Sequence, residues 1–158
     1  MNIFCCELYT NCFEETQAVG RLIGSNAGPG DVLLLSGGLG AGKTCLTQGV
    51  LWGLGSEDFV RSPTFVLISK YTARINLYHM DLYRLDTVEH IEDLGIDEYL
   101  EGHGICVIEW AEKGSPLFSE EHLKIQMDWE DETSRKITLT SKSKRYEKMI
   151  SQLKDGGF

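Results

Sequence analysis

No apolar run in this 158-residue chain approaches the length that crosses a bilayer as a helix, so a helical membrane protein is excluded. No stretch rich in proline, glycine or serine divides it, and it has no internal repeat and no low-complexity tract. Linked domains and repeat arrays therefore fall away, leaving one ordinary domain with a full core. The five cysteines, Cys5, Cys6, Cys12, Cys45 and Cys106, are odd in number and lack C-x-x-C spacing. That argues against a disulfide framework or a zinc site, and for free thiols packed as small hydrophobes in a reducing compartment. The first dozen residues, "MNIFCCELYTNC", have neither a basic n-region nor a long apolar h-region, so no signal peptide is expected and the expected address is the cytoplasm. Basic residues are also short: 15 Lys and Arg against 24 Asp and Glu leave a net charge of −9. Affinity for nucleic acid comes mainly from phosphate neutralisation, so any nucleic acid in this protein's work would be held by a partner.

What is present alternates between two periods. "IFCCELY" reads as a short strand, and "NCFEETQAVGRLIGSNA" as a helix with Asn11 or Cys12 near its cap and Glu14 and Glu15 in its first turn. "VLLLSG" and "GICVIEW" are continuous apolar runs of strand length, suited to a sheet's buried centre. "KTCLTQGVLWGLG" places Leu46, Val50 and Leu54 on one helical face and stops at Gly55. "SPTFVLISKY" and "INLYHMDLY" read as a hairpin around "TAR", and "LKIQMDW" and "RKITLTS" as another around "EDETS". "VEHIEDLGIDEYL" is helical in character. The expected fold is α/β, a mixed sheet with a parallel core and antiparallel hairpins, flanked by helices. A single domain over 1–141 is expected to end in a charged tail, 142–158, forming a surface helix that frays at its glycines.

Between the first buried strand and the next helix lies "GGLGAGKT", residues 37–44, which meets G-x-x-x-x-G-K-[ST] at every required position. The strand delivers the chain to the sheet's carboxyl edge, and small residues let backbone N–H groups turn inward around a phosphate. The helix that follows offers its positive N-terminal end. The pattern predicts a nucleoside triphosphate site of the P-loop kind. Its expected contacts are Gly37, Gly38, Leu39, Gly40, Ala41, Gly42, Lys43, Thr44 and Cys45. Lys43 would reach the β- and γ-phosphates and the Thr44 hydroxyl would ligate Mg²⁺.

Such a site needs an acid at a strand end. Asp81 closes "NLYHMD", sharing a face with Ile75, Leu77 and His79 by period two, and Glu109 closes "ICVIE". Either carboxylate could orient a water or the metal. Thr64, set at a strand start by Pro63, has the placement of a switch threonine that senses γ-phosphate. Trp110 could stack on a base or a partner, or fill a core edge, and Arg135 could stack on a base. Guanine specificity normally needs N-K-x-D, which is missing, so adenine is the default. His79, His90, His103 and His122 are too scattered for a metal cage, and His79 reads as packed beside the site rather than catalytic. Asp93, Asp97, Glu98 and Glu101 read as a solvated helix face.

"GxLGAGKT", "SPTF", "HxDLYRL", "LGIDEYL" and "VIEW", in this order and spacing over about residues 13 to 140, resemble the TsaE (YjeE) family of small bacterial P-loop ATPases. The resemblance implies ATP or ADP with Mg²⁺ at Gly37 to Thr44, Thr64 as the switch-like threonine, Asp81 as the acid of "HxDLYRL", and Glu109 and Trp110 as a functional pair. It also implies work within a complex that makes threonylcarbamoyladenosine in tRNA. TsaD- and TsaB-type proteins would be the partners, tRNA would be gripped by other subunits, and hydrolysis, weak without partners, would reset the complex between turnovers. Two departures stand out: Gly38 replaces the aspartate usual in this family's loop, and Ala111 stands where many relatives have proline. Two other readings compete. A small-molecule kinase of adenylate- or shikimate-kinase type needs an Arg-bearing lid, and the arginines here are dispersed. A nucleotide-dependent binding module would make turnover incidental, and the lost loop carboxylate keeps that reading open.

Overall fold

The two continuous apolar runs lie side by side at the centre of a seven-stranded sheet. The computed structural model of the chain describes residues 2–63 and 67–158. Its strands are β1 (Phe4–Thr10), β2 (Val32–Ser36), β3 (Ile68–Tyr71), β4 (Leu77–Asp81), β5 (Ile105–Glu109), β6 (Leu123–Trp129) and β7 (Arg135–Ser141). They line up in the order β1-β7-β6-β2-β5-β4-β3. The inner four, β6, β2, β5 and β4, run parallel, and β3, β7 and β1 add antiparallel edges. The mixed sheet flanked by helices is thus the expected one.

Both faces of the sheet are covered, which is why β2 and β5 are apolar at successive positions rather than alternate ones. On one face Leu33, Leu35, Ile105 and Val107 pack under α1 (Phe13–Asn26), α2 (Lys43–Gly53) and α5 (Glu147–Asp155). On the other, Leu34, Cys106 and Ile108 pack with Ile91 and Ile96 from two short helices, α3 (Val88–Glu92) and α4 (Ile96–Leu100). The single helix expected over this stretch is split because Gly95 takes a left-handed φ of 72° and ends one turn before the next begins. Asp93, Asp97, Glu98 and Glu101 are exposed there, as a solvated face requires.

The ends of α1 and α2 follow their local chemistry. Cys12 occupies the cap of α1 without a side-chain bond, while Glu15 accepts from the Asn11 N–H at 2.6 Å. At the end of α2, Gly55 and Ser56 donate to the carbonyls of Trp52 and Leu51 in a Schellman closure, with Gly55 at φ 90°. The two helices cross at backbone contact. A Cβ added to Gly20 would fall 2.1 Å from the Leu46 carbonyl oxygen, and one at Gly49 would fall 2.1 Å from that of Gln17. The C-terminal helix exposes Glu147, Lys148 and Lys154 and buries Met149, Ile150 and Leu153 in the main core. Just before it, Arg145 Nε donates to Asp31 Oδ1 at 2.5 Å, and the Tyr146 hydroxyl accepts from the Val32 N–H at 2.9 Å. The tail is thereby tied to the foot of β2, the strand that carries the glycine loop.

Candidate functional site

At the carboxyl edge of the parallel strands the register sets two carboxylates side by side, next to the end of β2. Leu35, the last but one residue of β2, is opposite Glu109, and Glu109 is opposite Asp81. Period two turns Asp81, Glu109 and His79 toward the face covered by α1 and α2, so they meet the loop that joins β2 to α2. Lys43, Thr44, Asp81, Glu109 and Trp110 line one cleft of about 320 Å³, with Leu39, Gly40, Ala41, Gly42, Cys45 and Ser62 completing its wall. Thr64 lies outside the described residues.

The loop is shaped by glycines that cannot be replaced freely. Gly40 and Gly42 have φ of 75° and 102°, and a Cβ at Gly37 would fall 2.5 Å from the Met127 carbonyl oxygen of β6. Gly38 is different: a Cβ there would meet nothing within 4 Å. Lys43 reaches back over the loop, its Nζ donating to the Gly37 carbonyl at 2.6 Å and lying 3.8 Å from the centre of the Trp110 ring. Burial pushes the Lys43 ammonium below the usual lysine range, against the opposing pull of Glu109, Glu112 and Asp81. Trp110 holds its ring there from a left-handed backbone, φ 58°, and packs against Tyr83 with centroids 4.9 Å apart. A strained non-glycine residue at a site edge persists only where its surroundings over-determine it.

Glu109 is buried, and its Oε2 lies 2.5 Å from His79 Nε2. An ionised carboxylate can only accept, so in this contact the proton lies on the His79 Nε2 side. His79 is 0% exposed and its Nδ1 has no hydrogen-bond partner among the described residues. A buried, unmade bond of this kind costs about 1–3 kcal/mol. Asp81 Oδ1 accepts from the Tyr83 N–H at 2.9 Å, which orients it. The Thr44 hydroxyl and two carboxylates make a hard, oxygen-only donor set. Among the described residues no group of three or more His, Cys, Asp or Glu could hold a metal ion. The oxygen donors of Thr44, Asp81 and Glu109 are of the kind that Mg²⁺ takes, through one or two carboxylates plus substrate phosphates.

A second pocket, also about 320 Å³, opens on the other side of the loop, sharing Gly40, Gly42 and Cys45 with the cleft. Cys12, Phe13 and Thr16 of the α1 end and Arg135 line it. Arg135 holds the loop in place: Nε donates to the Ala41 carbonyl at 3.0 Å and Nη2 to that of Gly40 at 3.2 Å. Its guanidinium stacks on Trp129, 4.4 Å from the ring centre, the residue directly opposite it in the β6–β7 hairpin.

Residues 10–137 match the family described as threonylcarbamoyl adenosine biosynthesis protein TsaE. A tRNA threonylcarbamoyladenosine biosynthesis protein TsaE from Bacillus subtilis is 44% identical over 141 residues, covering 89% of this chain and 88% of the relative. This chain belongs to the TsaE family. The TsaE of Treponema pallidum is 39% identical over 126 residues, 80% of this chain and 93% of its own. A crystal structure of Bacillus subtilis YdiB superposes with a TM-score of 0.82 at 37% identity, over 99% of this chain and 98% of that one.

Lys43, Thr44, Asp81, Glu109 and Trp110 stand out separately in the sequence, and the fold of this TsaE-family chain brings all five to one cleft. Arg135 stands at the second pocket, with its guanidinium on Trp129. Three features carried no sequence signal strong enough to find them. They are the α1 wall of the second pocket, the His79–Glu109 contact, and Glu112, whose Oε2 accepts from the Ser36 hydroxyl at 2.7 Å beside the loop. The TsaE match ends before α5 and takes in only the last residue of β1, and those two elements pack on one another. Among the described residues no helix is long and apolar enough to cross a membrane.

Proposed function

We propose that this TsaE-family chain is the Mg²⁺-dependent, ATP-binding and ATP-hydrolysing subunit of a cytoplasmic assembly that makes threonylcarbamoyladenosine in tRNA. The observation that carries the proposal is the convergence of Lys43, Thr44, Asp81 and Glu109 on the cleft above the glycine loop. Loop N–H groups and the start of α2 receive the phosphates, and Lys43 exchanges the Gly37 carbonyl and the Trp110 ring for phosphate oxygens. The Thr44 hydroxyl, with Asp81 and Glu109 directly or through water, would hold Mg²⁺, which neutralises charge on the phosphates when bound. Glu109, at the cleft's inner wall, orients the attacking water. The largely apolar second pocket takes the base, adenine by elimination, beside Arg135.

TsaD- and TsaB-type proteins are the proposed partners, and hydrolysis resets the complex between turnovers. With −9 net charge the chain leaves tRNA to the rest of the assembly. The test is ATP hydrolysis by the purified chain, alone and with that pair, for wild type and Glu109→Ala. Turnover that rises with the pair and drops at least about 100-fold in the variant, with nucleotide affinity kept, supports the proposal. Turnover indifferent to the pair points to a kinase acting on an added acceptor. Tight binding without turnover in either setting points to a nucleotide-dependent binding module, with Gly38 the first residue to restore to aspartate.

A further inference from the structure

We infer that His79 is a positioning residue for Glu109: its Nε2–H pins Oε2 of the carboxylate and so presents Oε1 to the cleft. The inference rests on the reading of Glu109 as the acid of a hydrolytic site. A glutamate at a strand end has three side-chain torsions to settle, and a water-orienting carboxylate must settle them in one way. β4 and β5 supply the geometry. They are parallel neighbours, Asp81 is opposite Glu109 and His79 opposite Val107, so His79 reaches Glu109 diagonally on the same face. The contact, at 2.5 Å, is buried on both sides.

Packing alone does not account for this imidazole. A histidine kept for structure normally satisfies both nitrogens, and His79 Nδ1 is buried with no partner among the described residues. A methionine or leucine would fill a similar buried volume without stranding a polar atom. What neither supplies is a donor at the position of Nε2, the ring atom that meets Glu109. Partners of this kind, acting through another residue, typically change activity by about 10- to 100-fold when lost.

The experiment is a comparison of His79→Met and His79→Gln in the full chain with its proposed partners. Glutamine can carry an amide N–H to the place of Nε2, whereas methionine fills the volume without a donor. The expected result is that His79→Met lowers kcat about 10- to 100-fold with ATP affinity within about three-fold, while His79→Gln recovers most of the loss. Equal losses in both variants, or wild-type kcat in His79→Met where Glu109→Ala is inactive, overturn the positioning role and leave the ATPase reading standing. If Glu109→Ala keeps full turnover, the ATPase reading is what has failed. The contact itself is then judged by ¹⁵N-histidine NMR of the unmodified chain. A proton on Nε2, with a resonance that moves in Glu109→Gln, supports it. A proton on Nδ1, or a signal blind to Glu109→Gln, overturns it whatever the activity and whether or not the methionine variant folds.

Discussion

The glycines of the α1–α2 crossing and the glycines of the loop omit the same atom for opposite reasons. At Gly20, Gly24, Gly49 and Gly53 the place of a Cβ is already filled, by backbone oxygen of the facing helix at 2.1, 2.1, 2.1 and 2.2 Å. The missing side chains bring two backbones together and exclude everything else, at a distance where Cα–H groups meet carbonyls. At Gly40 and Gly42 the nearest atoms are side-chain carbons at 3.2 and 3.3 Å, and at Gly38 there is open space. Those positions keep room and backbone freedom for something that is not protein. Gly37 belongs by chemistry to the first group although it stands in the loop, since β6 backbone occupies its Cβ position. One helix thus carries both arrangements: the flank of α2 is locked to α1 while its N-terminus stays open to the cleft.

Substituting across the two groups separates folding from binding. The largest effect is expected at the crossing, where Gly49→Ala or Gly20→Ala forces a methyl into a carbonyl. Either should lose more than about 3 kcal/mol in denaturant unfolding, beyond ordinary overpacking. A loss under about 1 kcal/mol would mean the helices can slide apart and would erase the contrast. Gly42→Ala is expected to be intermediate. Its φ of 102° adds strain of about 1–3 kcal/mol, so the chain stays folded by circular dichroism but loses at least about ten-fold in nucleotide affinity by calorimetry. Gly38→Asp should be the mildest, within about 0.5 kcal/mol of the parent stability. Nucleotide affinity should stay the same within a few-fold while turnover rises toward that of relatives carrying the aspartate. Lower affinity or lower turnover would show that the space at Gly38 is needed as it is.

The glycine loop, the buried strands and the two strand-end acids were legible because each is written in consecutive residues, where motif spacing and periods of two and 3.6 act locally. The Arg135–Trp129 stack was within reach of the same method, since pairing the last hairpin puts the two residues opposite one another. The split at Gly95 has no clear sequence signal because one glycine inside a helical pattern is usually tolerated; here its left-handed φ decides. The paired spacing Gly20/Gly24 and Gly49/Gly53 was visible as glycines but not as a crossing, because its meaning depends on two helices meeting. His79 reads as a packed residue until the order of β4 and β5 in the sheet is known. The second pocket is built by α1, some thirty residues upstream of the helix it faces, and no local pattern encodes that.

Two of the three tryptophans flank the loop, each under a cation: Trp110 beneath Lys43 and Trp129 beneath Arg135. A ligand that draws the Lys43 ammonium from the Trp110 ring alters that indole's surroundings directly, with no backbone movement. Trp52 sits on the far flank of α2 beneath Arg21, 5.3 Å from the guanidinium carbon, and away from the cleft. The chain therefore carries its own optical gauge of a ligand that displaces Lys43, with Trp110 as reporter and Trp52 as reference, readable by ultraviolet emission without a label.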